Sequence, residues 1–553
     1  MCNEKGEGHR MKHVYVKKTA YGGLAAVLAT GALLAGCGNS GDSAKGDSKG
    51  EAKRGSISSS IYDRGNVPAE EGTVDNNRWT KWLNGQGPVD VKFVPIPRAE
   101  SKQKFNVLFA SDSAPDLVFD YDAGLMNDLY AQKQLLPLDD LIKNDSTEYK
   151  KLADQYPILK EMGTKPDGKI YQFGRLLGMK TNDLLFIRKD WLKKLNLEVP
   201  KTTEELYKVA KAFREQDPDG NGLKDTYAIN LSYTADSVIN SMFQNTGLYS
   251  KDGKLQKTWE QAKEATAFKK QLFTEGLVDK DFLTDKNGEK AKQDWITGKL
   301  GMYAQSSGAD QVATFAIYQS LKKNVPDAEV IPIELPKGPY GQFNPNSKFP
   351  VQMTAAINAK TKDPKAAMKY VDFLVSKPTM NALKNGLEGQ HYQTDKDGCA
   401  QPIDKEKNKK EMAMTNDIAM LSSMALMGKC EKYEIKLNPE VPQEKEFLNI
   451  IETADKIYLN PNLPFSTEYD ATVLPSLPAD LVVINKNTDT INDLWKKAIV
   501  SGDKYTPEQA LAEAKSLWEK SGGKQIDDFY NKWYQENKDK PLRNNDFMKL
   551  KFE

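Results

Sequence analysis

The sequence predicts an α/β fold divided into at least two lobes. Segments with strand character alternate with long amphipathic helices along the body of the chain, a pattern typical of packed α/β layers. The chain has 553 residues, whereas a single hydrophobic core stops growing at about 250 to 300 residues. More than one core is therefore expected.

The beginning of the chain has the pattern of an export signal. Residues 11–18 include three lysines, residues 19–36 carry no charge, and Leu34-Ala35-Gly36-Cys37 resembles a lipobox, where lipoprotein signal peptides are cleaved. Residues 1–36 are therefore predicted to be a lipoprotein signal peptide and Cys37 the lipidated residue. An uncleaved membrane anchor is the alternative.

A polar linker separates this signal from the folded body. Residues 38–53 are Gly, Ser, Asp, Lys, Glu, Asn and Ala, with no larger apolar side chain, so 37–53 is predicted to be a flexible tether. The body begins near Arg54. Its 78 basic and 77 acidic residues nearly balance over the whole chain, which gives no indication of a nucleic-acid partner.

The elements of the body follow from local patterns. Strands are predicted over 56–62 and 89–96, and residues 114–121 form a short apolar run after a turn. Thr202 and Glu205 form a capping box that starts a helix, and two further helices follow Asp363 and Thr506, each with proline in the first turn.

The stretch DPDGNGLKD, residues 217–225, resembles the calcium loop of an EF-hand. It places oxygen ligands at alternating positions around a glycine, but Ala228 stands where such loops carry a bidentate glutamate. The following TYAINLSY is predicted to be a strand, so a bound Ca²⁺ would stabilise a helix-to-strand corner; a solvated turn is the alternative. The predicted ligands are Asp217, Asp219, Asn221, Leu223, Asp225 and Thr226.

The number of histidines and the motifs present in the sequence give no support for several kinds of catalytic site. Of three histidines only His391 lies beyond the predicted signal peptide, which excludes multi-histidine zinc sites in the mature chain. No phosphate-binding loop or cysteine cluster is present. A pair of catalytic carboxylates stays open, since nothing in the spacing of the acids singles one out. Cys399 and Cys430 either form one disulfide or remain independent thiols.

Aromatic residues stand beside polar ones where strands are expected to end. Tyr62 precedes an Asp-Arg pair, Tyr121 lies between two aspartates, and Tyr303 is followed by Gln305. Flat rings next to hydrogen-bonding groups suit the faces and hydroxyls of sugars, although partly buried packing is an equally simple interpretation. Trp191 and Trp295 are predicted to belong to the core.

Several stretches taken in order are similar to the lipoprotein-type extracellular solute-binding proteins, family 1, of bacterial oligosaccharide ABC importers, and especially to the calcium-containing binders of alginate and other acidic oligosaccharides. The resembling stretches are APDLVFDYDAGLMNDLYAQKQLLPLDDLI (114–142), DGKIYQFG (167–174), IRKDWLKKLNLEVPKTTEELYKVAKAFREQDPDGNGLKD (187–225), GKLGMYAQ (298–305) and NGLEGQHY (385–392). In relatives an acid often follows the last loop aspartate, but here Thr226 does.

The resemblance implies a type II periplasmic-binding-protein fold, in which two α/β lobes enclose a ligand cleft and are joined by crossing hinge segments. The expected division is an N-lobe of 54–181 and 351–400 and a C-lobe of 182–350 and 401–553, with the last helices shared between lobes as an option. The expected ligand-binding residues are Tyr62, Arg64, Asp120, Tyr121, Arg175, Tyr303, Gln305, Glu388, His391 and Tyr392. His391 is expected either to hydrogen-bond a sugar or to pack beneath the EGQHY turn.

The predicted function is capture of an oligosaccharide without chemical change, followed by delivery to the ABC permease. The expected protein is a monomer on the outer face of a Gram-positive-type cell membrane, held by lipid on Cys37, with Ca²⁺ as a structural ion. Two alternatives remain: a calcium-stabilised surface enzyme that degrades polysaccharide, and an adhesin or signalling lipoprotein of the same fold.

Overall fold

The computed structural model describes residues 54–551 apart from 66, 286, 307–310, 397, 428–436 and 438–440. The predicted signal peptide, the tether, Cys37 and Cys430 lie outside the described residues. Cys399 is buried and disulfide-bonded. Its pairing with Cys430 stays a prediction.

The strands of the described residues include the two predicted over 56–62 and 89–96, and a third lies within the apolar run 114–121. They are β1 (Gly55–Asp63), β2 (Val89–Pro97), β3 (Leu117–Phe119), β4 (Phe173–Leu176), β5 (Lys180–Thr181), β6 (Asp183–Arg188), β7 (Leu248–Lys251), β8 (Lys254–Lys257), β9 (Met302–Ser306), β10 (Val330–Pro332), β11 (Ser347–Lys348), β12 (Val351–Ile357), β13 (Tyr392–Thr394) and β14 (Ala400–Pro402).

The larger sheet has the strand order β2-β1-β3-β12-β4. β1 pairs in parallel with β2 and β3, and β12 runs antiparallel to both β3 and β4. Strands β1 to β4 therefore all point the same way. Their carboxyl ends lie along one edge of the sheet.

A second sheet, with the order β10-β6-β9, is antiparallel throughout. The chain passes from the larger sheet to this one between β4 and β6 and returns between β10 and β12. These two crossing segments pair with each other, because Lys180 and Thr181 of β5 lie opposite Lys348 and Ser347 of β11. The short β5–β11 ladder thus joins the two sheets.

Helices surround both sheets. The α-helices are α1 (Arg78–Gln86), α2 (Ser101–Ala110), α3 (Ala123–Ala131), α4 (Asp139–Asp145), α5 (Glu148–Gln155), α6 (Ile158–Gly163), α7 (Lys189–Lys194), α8 (Thr203–Glu215), α9 (Thr234–Met242), α10 (Trp259–Thr274), α11 (Glu289–Ile296), α12 (Gln311–Asn324), α13 (Pro364–Val375), α14 (Lys377–Asn385), α15 (Lys405–Glu411), α16 (Pro442–Tyr458), α17 (Ala479–Asn485), α18 (Asn487–Val500), α19 (Pro507–Lys520), α20 (Lys524–Asn537) and α21 (Asn544–Phe547).

The three predicted helices are α8, α13 and α19. The Thr202 hydroxyl accepts from the Glu205 N–H at 3.2 Å, and the Glu205 carboxylate accepts from the Thr202 N–H, which completes the capping box. Asp363 caps α13, and Thr506 forms a second capping box in front of α19. Each cap satisfies backbone N–H groups that the first helical turn leaves without partners.

The two sheets pack into different hydrophobic cores. Ile61 and Val118 of the larger sheet belong to one core, and Leu185 and Met302 of the second sheet to another. The first core also takes in residues from far along the chain: Met414, Ile418, Met420, Leu421, Ala425, Tyr469, Tyr534, Leu542 and Phe547. The residue limits given above for the two lobes stay a prediction.

The expected strand in TYAINLSY, residues 226–233, is wrong. Only Tyr227 forms an isolated bridge there, with Leu300, and the segment then leads into α9. Ala228 and Ile229 are fully buried, and the Ala228 N–H donates to the Leu277 carbonyl rather than to a neighbouring strand. The Ala228 carbonyl still accepts from the Met302 N–H of β9, but the pairing ends there because the Ala228 N–H turns to Leu277.

Candidate functional site

Four side chains gather at the edge where β1 to β4 end. Tyr62 is the second-last residue of β1, Arg98 follows β2, Tyr121 follows β3 by two residues, and Arg175 is the second-last residue of β4. Parallel strands place their carboxyl ends together, and α/β proteins bind ligands at such an edge. The crossing segments also leave from this edge, so it faces the second sheet.

The two tyrosine rings form the centre of this group. Their centroids lie 5.8 Å apart at an interplanar angle of 33°. The Arg98 guanidinium carbon lies 4.8 Å from the Tyr62 ring centroid and 5.8 Å from that of Tyr121. Arg64 lies 5.7 Å from the Tyr62 ring, and Arg175 lies 5.5 Å from the Tyr121 ring. Each distance falls within the range of a cation–π contact.

The partners of Arg64 and Arg175 differ in charge. Arg64 Nε donates to both carboxylate oxygens of the buried Asp417, at 2.9 and 2.8 Å. Arg175 instead donates to neutral groups: its Nη2 to the Gln352 side-chain oxygen at 2.7 Å and its Nη1 to the Ala419 carbonyl at 3.1 Å. Burial lowers the pKa of Arg175, while the Tyr121 hydroxyl acts in the opposite direction.

Asp120 precedes Tyr121, interacts with the Tyr62 hydroxyl and is completely buried. One of its carboxylate oxygens accepts from the Asp122 N–H at 2.7 Å, and the other accepts no hydrogen bond of normal geometry. Desolvation raises the pKa of the Tyr62 hydroxyl, and the nearby Asp120 carboxylate raises it further. Tyr62 itself is only 2% exposed, whereas Tyr121 is half-buried.

The facing edge of the second sheet carries Tyr303 and Gln305. They belong to β9, whose last residue pairs with the first residue of β6, next to the crossing. Tyr303 is buried and stacks on Trp295 with centroids 5.4 Å apart, so Trp295 is a core residue as predicted. Gln305 donates to the Thr314 hydroxyl at 3.3 Å. Both residues line a cavity of about 230 Å³.

Tyr233, which sequence reasoning missed, lines the same cavity. Its side chain is 60% exposed, and its backbone has φ 53° and ψ −120°, a conformation unusual for a bulky residue. The ring lies against Gly288, where an added Cβ would come within 3.2 Å of it. Strained backbone of this kind is concentrated at functional sites. No sequence signal marks the strain, because it arises at the junction with α9.

A polar cluster holds the crossing segments together. The Asn346 carbonyl accepts from the backbone N–H groups of Asn182 and Asp183, both at 3.2 Å. The Asn346 side chain donates to Ser237 Oγ at 3.0 Å and accepts from Thr467 Oγ1 at 2.7 Å. The buried Asp183 accepts from Ser237 Oγ at 2.7 Å, and burial raises its pKa. Three distant chain segments therefore meet at one residue.

Glu388, His391 and Tyr392 form a separate group around the hairpin of β13 and β14. His391 is buried; its Nδ1 accepts from the Leu387 N–H at 3.0 Å, and its Nε2 donates to Glu411 at 3.1 Å. The Tyr392 hydroxyl accepts from Asn381 at 2.9 Å, and the exposed Glu388 accepts from Thr394 at 2.8 Å. The arrangement of His391 matches packing beneath the EGQHY turn, although a role in binding sugar stays untested.

The DPDGNGLKD loop follows α8 directly and folds around its own acids. Asp217 Oδ2 accepts from the Gly222 N–H at 3.0 Å. The Asn221 amide nitrogen donates to Asp219 at 2.9 Å and to Asp225 at 3.1 Å, so it bridges two carboxylates. Backbone hydrogen bonds lower the pKa of Asp217, whereas desolvation and the adjacent Asp217 raise that of Asp219.

The loop contains carboxylate and amide oxygens, which are the donor types that a hard cation takes, and the Asn221 amide nitrogen bridges the carboxylates of Asp219 and Asp225. The Thr226 hydroxyl, by contrast, donates to the Phe213 carbonyl at 2.7 Å and is fully buried. Leu223 is 60% exposed, and its N–H donates to Asn221. In the described part of the chain, no group of three or more His, Cys, Asp or Glu side chains is arranged as a metal centre.

The chain forms two α/β lobes joined by a pair of crossing strands. The group of tyrosines and arginines lies at the sheet edge that faces the second lobe. These are the features of a solute-binding protein with the type II periplasmic-binding-protein fold. The chain belongs to the family of bacterial extracellular solute-binding proteins, whose sequence profile matches residues 75–381. That match spans more than half of the chain. No helix in the described residues is long and apolar enough to cross a membrane.

Two curated relatives show how far the similarity extends. "Lipoprotein LipO" of Bacillus subtilis is 27% identical over 489 residues, which covers 85% of this chain and 91% of that protein. The "Fructooligosaccharide ABC transporter substrate-binding protein FusA" of Streptococcus pneumoniae is 35% identical over 219 residues, or 35% of this chain and 40% of that protein.

Solved structures confirm the fold. An "HMO binding ABC-transporter associated Solute Binding Protein" from Bifidobacterium longum infantis has a TM-score of 0.66 at 18% identity, covering 88% of this chain and 99% of that one. FusA in complex with kestose has a TM-score of 0.62 at 21% identity, covering 87% and 99%. The alginate-binding protein AlgQ2 without calcium ion has a TM-score of 0.59 at 20% identity, covering 88% and 99%.

Proposed function

We propose that this protein is the substrate-binding lipoprotein of an ABC transporter and that it captures an oligosaccharide between its two lobes. The observation that carries the proposal is the convergence of Tyr62 and Tyr121 with three arginines at the edge facing the second sheet. Tyr62 is only 2% exposed, so the half-buried Tyr121 ring and the arginine donors would meet the faces and hydroxyls of the sugar rings.

The relatives support the saccharide as the ligand class. FusA is named for fructooligosaccharide, and its solved structure holds kestose. The Bifidobacterium protein is named for HMO binding, and AlgQ2 for alginate. We extend to this chain what they share, which is a saccharide ligand and, for FusA and the HMO binder, association with an ABC transporter.

The lobes are proposed to divide at the crossing segments, with the N-lobe formed by 54–181 and 351–400. The packing of Met414 and Leu421 into the first core favours continuing this lobe to residue 426. Closure would then bend the chain at the β5–β11 ladder and at the Asn346 cluster. Hinges of this type absorb the motion in a few residues while each lobe moves as a rigid body.

Ca²⁺ is proposed as a structural ion in the DPDGNGLKD loop. Asp217, Asp219, Asn221 and Asp225 would supply side-chain oxygens and Leu223 a backbone carbonyl. The Thr226 hydroxyl is already engaged in the interior, so any role for Thr226 would require its rearrangement. The ion would neutralise carboxylates that otherwise repel one another and would stabilise the end of α8. Structures related to this chain include an "EF-hand mutant" of FusA and AlgQ2 "without calcium ion".

The same proposal covers location and partners. A lipid on Cys37 would hold the protein at the outer face of the cell membrane as a monomer beside the permease, and similarity to a lipoprotein supports this arrangement. Binding without cleavage is part of the proposal, because the family is one of binding proteins. Product analysis after prolonged incubation with polysaccharide would detect the enzymatic alternative.

Calorimetric titration with a panel of neutral and acidic oligosaccharides tests the function. At least one should bind and be recovered intact. Tyr121→Ala should lower its affinity by about tenfold or more, because aromatic anchors dominate binding sites. Tyr171→Ala is the matched control, since Tyr171 is also half-buried in a tyrosine pair, 4.9 Å from Tyr130, but precedes β4 at the opposite sheet edge. No binding across the panel would contradict the proposal.

A further inference from the structure

The three arginines beside the Tyr62 and Tyr121 rings, Arg64, Arg98 and Arg175, differ in whether a carboxylate neutralises their charge. Arg64 is paired with Asp417 at 2.8 Å. Neither Arg98 nor Arg175 has a carboxylate at ion-pair distance in the described part of the chain. Arg175 is held by the neutral Gln352 side chain and the Ala419 carbonyl. The edge therefore carries positive charge that the protein itself does not pair.

Of these three arginines, Arg98 has the N–H donors that are free to bind a ligand. It starts the short 3₁₀-helix Arg98–Glu100 after β2 and is half-buried. Within the described residues its guanidinium makes no hydrogen bond or ion pair. It lies over the faces of the Tyr62 and Tyr121 rings in two cation–π contacts. Stacking on two rings orients the planar group while leaving its N–H donors without acceptors.

The acids near the rings do not remove this charge. Asp417 is already engaged by Arg64, and the completely buried Asp120 interacts with the Tyr62 hydroxyl and is not at ion-pair distance from Arg98. A guanidinium that is partly shielded from water gains most from an acceptor that is itself charged. Carboxylate and sulfate groups both present the paired oxygens that match its fork of donors.

We infer that the saccharide taken by this site is anionic and that Arg98 binds its carboxylate or sulfate group. The inference rests on the proposed function and narrows its substrate class. Arg98 would then determine selectivity for charge, while the two rings orient the guanidinium. A purely structural role for Arg98, as a cover over the two rings, predicts instead that neutral and anionic sugars respond equally to its loss.

Calorimetry with three probes separates these roles: a trigalacturonate, its fully methyl-esterified form, and a sulfated trisaccharide. We expect the wild-type protein to bind one anionic probe at least about tenfold more tightly than the ester, as charge-assisted hydrogen bonds allow. The anionic probe that binds identifies carboxylate or sulfate as the recognised group. Arg98→Gln should weaken binding of the anionic probe by about tenfold more than binding of the ester, so that the preference is lost, and Arg98→Lys should retain part of the preference.

Arg543→Gln provides the matched control. Arg543 also lies over a tyrosine, 5.6 Å from the Tyr469 ring, but it is paired with Glu468 at 3.0 Å. The Arg543→Gln variant should keep the preference of the wild-type protein for the anionic probe. Equal or tighter binding of neutral sugars by the wild type, or an equal loss for both probe types in Arg98→Gln, would overturn the inference while upholding the proposed function. Absence of binding by any saccharide would overturn both.

Discussion

The Tyr121 backbone N–H donates a hydrogen bond of 3.1 Å to the Tyr62 hydroxyl. This bond links a residue two positions after β3 to the second-last residue of β1, and the two residues are 59 positions apart in sequence. It also fixes the angle between the rings over which Arg98 lies. The geometry of the candidate site therefore depends on a single hydroxyl acceptor.

Tyr62→Phe should destabilise the protein and weaken ligand binding. Removing the hydroxyl leaves the Tyr121 N–H without its acceptor, at an expected loss of about 1 kcal/mol in the free energy of unfolding. Urea unfolding and calorimetry measure the two effects. Tyr171→Phe is the control, because its hydroxyl donates to the exposed Asp167. Equal stability of the two variants would show that the Tyr62 bond contributes nothing.

Asn346→Ala should loosen the junction between the lobes. It removes the side-chain bonds to Ser237 and Thr467 and leaves the buried Asp183 with fewer donors. We expect a loss of about 2 kcal/mol in stability and faster hydrogen exchange in the crossing segments. Asn324→Ala, which removes one exposed bond to the Ile296 carbonyl, is the control. Unchanged exchange at residues 180–183 would argue against Asn346 as the junction.

Gly301→Ala should disrupt the second core. A Cβ at this position would lie 2.2 Å from the Phe213 ring and 2.9 Å from Trp191, both buried and rigidly packed. Overpacking of this kind costs about 1–3 kcal/mol. Gly85→Ala in α1 meets nothing within 4 Å and should stabilise the protein by about 0.5–1 kcal/mol, because alanine favours the helix. Thermal melting compares the two, and a stable Gly301→Ala would contradict the packing.

Lys165 should make stability depend on pH. Burial lowers its pKa from 10.5 to about 8, and its Nζ donates to the Asn127 side-chain oxygen at 2.6 Å. Folding therefore favours the neutral amine. The stability this group contributes is present above pH 10.5 and is lost as the pH falls through about 8.

Lys165→Gln keeps a donor for Asn127 without the charge. We expect it to stabilise the protein at pH 7 by about 2 kcal/mol and to have little effect at pH 11. Lys160→Gln, at a surface lysine paired with Asp154, gives the baseline at each pH. A stabilisation by Lys165→Gln that is the same at both pH values would exclude titration of Lys165 as its cause.

Removal of Ca²⁺ should lower the melting temperature by several degrees. Asp217→Asn should abolish this shift, because Asp217 occupies the first ligand position of the loop. Glu215→Gln, at the end of α8 and outside the loop, should retain it. Differential scanning fluorimetry with calcium and with chelator gives the comparison. An unshifted wild-type protein would remove calcium from the proposal.

The elements predicted from the sequence were those determined by neighbouring residues. Thr202 and Glu205 are three positions apart, and a capping box needs nothing more distant. The strand predicted in TYAINLSY failed because its backbone pairing with the start of β9 ends at Ala228, whose N–H donates to Leu277. The apolar pattern of the segment does not show where such pairing stops. The spacing of apolar residues indicates which side chains are buried, but it does not identify the hydrogen-bond partners of the backbone.

Much of the candidate site was beyond such reasoning, because distant segments form it. Arg64 meets Asp417 across 353 positions of sequence, and Asn346 joins segments that have no shared motif. Arg98 was missed because its neighbours, Pro97 and Ala99, have neither polar nor aromatic side chains that would indicate a binding site. The rule that ligands lie at the carboxyl ends of parallel strands would have pointed to it, as it did to Tyr62 and Tyr121.

Arg98 occupies a loop position whose side chain takes no part in the ladder of the larger sheet. Under the proposed role of Arg98, a substitution there would alter the charge presented to a ligand while every strand keeps its register. Descendants of one ancestral gene can therefore diverge in diet by substitution at such loop positions, without first acquiring compensating mutations in the core. The architecture allows a bacterium to adopt new nutrients through small genetic steps.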